Sequence, residues 1–255
     1  MTVALDWLPG IAFAYLLLFT RIGAILMLMP ALGEDLIPAR MRLTFALAFT
    51  LVVYPLLSPM LPPMPSGLGA IVGLLFHELA VGLILGTIVR ITVMATQLAG
   101  AIIAFQTGLS VAMTADPTQA GIQGAVFGSF LSFLGMTLIF ATDLHHMALA
   151  ATYDSYMTFP IDVEIMFDDA AQLAVRTVSS AFSIGVQMSA PFIVFGLTFN
   201  LGAGILARLM PALQVFFVLM PANIGIGLVL FAMLLTMMMG LYLTGFENHL
   251  AMWRG

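Results

Sequence analysis

The chain has 255 residues, of which 62 % are apolar and only 7 % charged, against about 25 % charged in an ordinary globular protein. So little charge cannot coat a water-facing surface, and the chain is expected in lipid or inside a larger assembly. The formal charge of −5, basic residues that are all arginine and the absence of cysteine exclude a basic nucleic-acid face, disulfides, thiolate zinc ligands and thiol catalysis. No polar segment is long enough for a soluble catalytic or nucleotide-binding domain.

The opening MTVALDWLPG lacks a basic n-region and carries Asp6, so it does not read as a cleaved signal. A first span is expected from Leu8 to Met29, stopped by Pro30. The connector PALGEDLIPARMR carries two acids and two arginines. A second span covers Leu43 to Leu57 and ends where Pro59, Pro62, Pro63 and Pro65 forbid a helix. The apolar run from Leu68 to Met113 would be roughly 69 Å long as one helix, against about 30 Å of hydrocarbon. No turn dipeptide interrupts it, so one long kinked helix is expected.

The stretch QTGLSVAMTADPTQAGIQ, residues 106–123, is small and polar with a single charge. Asp116-Pro117-Thr118-Gln119 reads as a helix start, with Asp as N-cap and Pro at the first position. The loop proper is then about Thr107 to Ala115, and a fourth helix follows from Pro117 to about Thr152. An acidic connector over 153–169 holds Asp154, Asp162, Glu164, Asp168 and Asp169 and no base. A fifth helix runs from about Ala170 to Met210, and a last one from about Ala212 to Phe246, bent at Pro221. The fold class expected is therefore an all-α integral membrane protein with about five or six long, kinked helices, in a single domain spanning 1–255. Arg40, Arg42 and Arg208 place the first and fifth connectors on the cytoplasmic side, with the acidic connector outside.

Small-xxx-small pairs recur at Gly69/Gly73, Gly82/Gly86 and Gly124/Gly128, spacings that let helix backbones approach closely in lipid. The methionines, including Met237, Met238 and Met239, read as adaptable apolar filling or as a compliant, pore-sealing surface. His77-Glu78 opens like a zinc-protease motif, but Val81 stands where the second histidine is needed. Asp143, His145 and His146 cluster at one helix end, with Asp143 and His146 at i,i+3. No third protein ligand is evident there, and interfacial polar residues are expected rather than a metal site. Arg21, Glu78, Arg90 and Asn200 lie within apolar runs, where a charge costs roughly 3 kcal/mol even on gentle insertion scales. They read as pairing contacts between helices or subunits. Glu78 and Arg90, twelve residues apart, fall about 120° apart round a helix and are not expected to pair. No nucleophile elbow, phosphate loop or dinucleotide fingerprint appears, so neither catalysis nor a cofactor is expected.

The segment RLMPALQVFFVLMPANIGIGL, Arg208 to Leu228, resembles the signature of the FliR family of flagellar biosynthetic proteins, related to the SctT proteins of injectisomes. Within it, Arg208, Pro211, Phe216, Phe217 and Pro221 carry the likeness, while Gln214 stands where many relatives have asparagine. Arg21-Ile22-Gly23, Pro30, Pro38 with Arg42, Glu78 with Gly82 and Gly86, Gly100, Gln106, Gly108, Asp116-Pro117, His145-His146, Ser155-Tyr156 and Pro191 extend it along the chain in order.

The resemblance implies a core subunit of the type III protein export gate in the bacterial inner membrane, at the flagellar basal body. It implies a single copy in a spiral hetero-oligomer with several FliP- and FliQ-type subunits, near FlhB- and FlhA-type components, around a pore for unfolded export substrates. The helices would be bent hairpins whose embedded charges face partner protein, so Arg21, Glu78, Arg90, Asn200 and Arg208 would be assembly contacts. A loop between the third and fourth helical regions would project into the pore as a plug. It maps to residues 106–119 and includes Gln106, Gly108, Met113, Asp116 and Pro117. Two other classes stand beside this one: a secondary transporter using Glu78 and Arg90 as coupling charges, without the inverted halves such proteins show, and an intramembrane enzyme built on Asp143, His145 and His146.

Overall fold

The computed structural model describes residues 8–30, 32–33, 37–110, 125–161, 167–210 and 215–251. These residues form α-helices joined by turns, with no strand among them. The helices are α1 (Leu8–Leu28), α2 (Ala39–Leu57), α3 (Leu68–Gln106), α4 (Ala125–Ala141), α5 (Leu144–Thr158), α6 (Phe167–Leu209) and α7 (Val215–Ala251). Five of them contain a stretch long and apolar enough to cross a membrane, and the bent pair α4–α5 makes a sixth. The protein is an all-α integral membrane protein.

Proline and glycine set most of the ends. Pro38 stands at the N-cap of α2 with extended backbone, and its fixed φ lets the helix start at Ala39. That is four residues before the expected Leu43, so Arg40 and Arg42 lie in the first turn of α2. A 3-10 turn at Ser58–Met60 follows α2, with Pro59 in its first turn, and the proline-rich segment beyond stays non-helical. The apolar run from Leu68 is one unbroken helix of 39 residues, about 58 Å at 1.5 Å per residue. It stops at Gln106 because Gly108 adopts φ 73, the left-handed conformation that commonly closes a helix.

The fourth helix departs from expectation. Its proposed start at Asp116-Pro117 lies outside the described residues. Its expected continuous course to Thr152 is broken at Thr142–Asp143, where α4 and α5 meet at 78°. Asp143 has φ 58, the one positive φ at a non-glycine among the described residues. A helix cannot pass through that conformation.

Within the single domain expected over 1–255, the chain divides into two compact units. One takes in Met1–Ile91, Asp143–Thr177 and Glu247–Gly255; the other Thr92–Thr142 and Val178–Phe246. In the first, α1 and α2 form a hairpin in which the Tyr15 hydroxyl donates to the Leu47 carbonyl at 2.8 Å. Leu17, Leu18, Ile22 and Ile25 of α1 are fully or almost fully buried. In the second, α3 crosses α4 where Gly100 meets the backbone of Gly128. Next to that crossing the Ser132 hydroxyl bonds Thr96 Oγ1 at 2.6 Å and accepts from Gln97 Nε2 at 2.8 Å. Phe231 of α7 packs against Phe127 of α4 at 4.7 Å and Phe192 of α6 at 6.3 Å between ring centroids.

Hydroxyls elsewhere bond back onto their own helix. Thr20 donates to Leu16, Thr50 to Ala46, Thr137 to Phe133 and Thr198 to Val194. Such i−4 bonds satisfy a polar group where no water is at hand.

Candidate functional site

In the first unit, Arg21 of α1 and Glu78 of α3 are both 0 % exposed, with Arg21 Nη2 2.6 Å from Glu78 Oε1. Arg21 Nη1 donates to the Ser155 carbonyl of α5 at 3.1 Å. The guanidinium carbon lies 4.2 Å from the centre of the Tyr156 ring, a cation–π distance. The Tyr156 hydroxyl reaches the Leu18 carbonyl at 3.3 Å, so three helices converge on one arginine. His77 Nδ1 stands 3.5 Å from Glu78 Oε1.

Glycine makes this convergence sterically feasible. Glu78, Gly82 and Gly86 recur every four residues and form one stripe along α3. A side chain at Gly82 would come within 2.7 Å of the Arg21 carbonyl and 2.8 Å of Ala24 Cβ. One at Gly86 would meet Leu28 Cβ at 2.8 Å. The bare backbone therefore brings α3 close enough to α1 for the charge pair to form. Gly69 and Gly73, at the start of α3, have nothing within 4 Å.

In the second unit, the C-terminal end of α3 is held between α6 and α7. Asn223 Nδ2 lies 3.5 Å from the Gln106 carbonyl. A side chain at Gly108 would stand 3.0 Å from Asn223 Nδ2, and one at Gly227 would meet Thr107 Cγ2 at 2.5 Å. One at Gly196 would collide with the Gln106 amide. The base of the segment expected to plug a pore is thus fixed by Asn223 and by the bare faces of two glycines. Met113, Asp116 and Pro117, the remainder of that segment, lie outside the described residues.

The structure therefore brings Arg21 and Glu78 together, and Gln106 and Gly108 into one cluster. The expectation that Arg21 and Glu78 contact other subunits meets a physical objection. Both side chains are sealed inside this chain, and their charges are spent on one another. Arg90, Asn200 and Arg208 are exposed along α3 and α6. Glu78 and Arg90 are not brought together, as their spacing led one to expect, Glu78 being buried on Arg21 and Arg90 exposed. Pro191 lies inside α6 and Pro221 inside α7. Pro211 and the side chains of Phe216 and Phe217 lie outside the described residues. Sequence reasoning missed Asn223, whose signal was a lone amide in the apolar run after Pro221. It also gave Tyr156 no role, although an aromatic ring is a natural neighbour for a guanidinium in an apolar interior.

Residues 12–249 match the family described as Bacterial export proteins, family 1. The chain is 46 % identical over 220 residues to the flagellar biosynthetic protein FliR of Caulobacter vibrioides, covering 86 % of this chain and 87 % of that protein. The chain belongs to the FliR family of flagellar biosynthetic proteins. The FliR of Bacillus subtilis is 31 % identical, over 85 % of this chain and 84 % of its own length. That of Escherichia coli is 27 % identical, over 84 % and 81 %. A match running through α1, α3 and α5 takes in every member of the Arg21 cluster, and membership of this family makes the chain a membrane-embedded component of flagellar protein export.

Proposed function

We propose that this chain is a non-enzymatic core subunit of the flagellar export gate in the bacterial inner membrane. It forms, as a single copy with FliP- and FliQ-type subunits, the pore through which unfolded flagellar proteins leave the cell. FlhA- and FlhB-type components are its expected neighbours at the basal body. The observation that carries this reading is the mismatch between length and burial in α6. Its apolar stretch Ala171–Leu209 is 39 residues long, yet only 11 % of its most apolar window is buried within the chain. A helix of that length far exceeds the roughly 30 Å of hydrocarbon, so much of its apolar surface requires protein as solvent. Residues 106–119 are the plug in this reading. The clamp on Gln106 and Gly108 supports it, since a loop that blocks a pore requires a fixed base.

The test is co-expression of the chain with its neighbouring membrane proteins, gentle-detergent purification and native mass spectrometry. The expected species holds one copy of this chain with several copies of two small helical partners. A stable monomer or homodimer without partners would overturn the reading.

A further inference from the structure

Asp143, His145 and His146 lie at the 78° corner between α4 and α5, all within the first compact unit. One ligand atom from each lies within 4.8 Å of the others. The third donor atom, not evident from the i,i+3 spacing of Asp143 and His146, is offered by the adjacent His145. The left-handed backbone at Asp143 precedes the start of α5 at Leu144, which puts all three residues at one helix start.

Three features of the corner go beyond proximity. Asp143 occupies the N-cap position of α5, yet its side chain makes no capping hydrogen bond. An N-cap aspartate ordinarily accepts from the amides of the first turn; here Oδ1 lies 3.6 Å from His146 Nδ1 instead. Second, donors around a tetrahedral ion with bonds of 2.0–2.1 Å sit about 3.4 Å apart, so the Asp143–His146 edge already has nearly the required spacing. The rings of His145 and His146 lie 4.0 Å apart between centroids, and their donor atoms fall within the same 4.8 Å. Third, the aspartate and His146 side chains are 79 % and 71 % exposed, so they are free to close the remaining ångström by rotamer adjustment. The non-glycine residue at positive φ is the strained backbone that such sites tend to carry.

We propose that Asp143, His145 and His146 bind one divalent transition-metal ion of the zinc class. Two imidazoles and one carboxylate favour Zn2+, Co2+ or Ni2+ over the hard ions Mg2+ and Ca2+, which take oxygen donors. Three protein donors leave further coordination positions to water or to a donor from elsewhere. All three ligands come from the turn and the first turn of α5, so the ion would fix the backbone at Asp143 onto the start of α5.

The experiment uses the full chain in detergent, without a histidine tag and stripped with chelator. It is titrated calorimetrically with Zn2+, and with Co2+ followed by visible absorption. One ion per chain is expected, together with the absorption bands of low-coordinate Co2+. His146→Ala should weaken binding at least tenfold. Asp143→Gly accepts the positive φ without strain, so it should melt no lower than the parent chain in the absence of metal while losing the ion. Absence of binding overturns the proposal. So does binding that persists unchanged in both variants, which would place the ion on His77 or His249 instead.

Discussion

Arg21 and Glu78 hold opposite charges 2.6 Å apart at zero exposure. Taking the two from water into an apolar interior costs several kcal/mol per ion, and their attraction with the Ser155 carbonyl and the Tyr156 ring offsets that. The offset is incomplete, because Arg21 Nε and Glu78 Oε2 have no hydrogen-bond partner among the described residues. The pair is therefore a device for specifying one arrangement of α1, α3 and α5 more than a source of net stability. Glu78→Ala leaves a buried guanidinium unpaired and should cost about 3–5 kcal/mol, read as loss of monodisperse protein in size-exclusion chromatography. Arg21→Met combined with Glu78→Leu removes both charges and should restore the yield. If the double variant is as poor as the single one, the charges do more than satisfy each other. Each of these residues was legible in the sequence as a charge inside an apolar run. Their pairing was not, because 57 positions separate them and only the approach of α3 to α1 joins them.

That approach is a property of the elements, and glycine controls it unevenly along α3. Gly82 and Gly86 face α1, Gly100 faces the backbone of Gly128 on α4, and Gly69 and Gly73 face nothing within 4 Å. The sequence presents Gly69/Gly73 and Gly82/Gly86 with one spacing, so their difference is invisible until the neighbouring helices are in place. A Cβ at Gly100 meets main-chain atoms that cannot yield as a side chain would. Gly100→Ala should therefore destabilise by about 1–3 kcal/mol, while Gly69→Ala should be neutral or gain up to about 1 kcal/mol of helix propensity. Thermal denaturation of the two variants in one detergent checks the contrast, and an equal effect would refute the packing account. The end of α2 at Pro59 was legible for the same chemical reason that it works, whereas the start after Pro38 was read four residues late and the apolar run of α3 was carried past Gly108 to Met113. The break at Asp143 was not, since an aspartate is compatible with a helix start and gives no unique sign of positive φ. The clamp on α3 was half legible: Gln106 and Gly108 stood out, but Asn223 lay a hundred residues away in an apolar run.

At the scale of the molecule, the all-α membrane architecture follows from composition, since apolar runs without charge leave few alternatives to helices in lipid. What composition does not disclose is which faces meet lipid and which meet protein. On α6, Val194, Leu197, Leu201 and Ile205 are each more than 60 % exposed, and Asn200 and Arg208 are exposed among them. Eight residues separate the two polar groups, so they lie near one face of the helix. Lipid would tolerate the apolar side chains but not the Asn200 amide within its hydrocarbon, and Arg208, in the last turn of α6, would have to reach the interface, whereas a partner helix accepts all of them. If partner subunits cover this face, Asn200→Ala and Arg208→Ala should leave membrane insertion and the melting temperature of the isolated chain unchanged. The same substitutions should lower recovery of the complex with FliP- and FliQ-type subunits several-fold, by native mass spectrometry of co-expressed material. If α6 faces lipid alone, removing two polar groups should instead leave recovery equal or improve it. The opposite signs of the two outcomes separate a helix solvated by its assembly from one solvated by the bilayer.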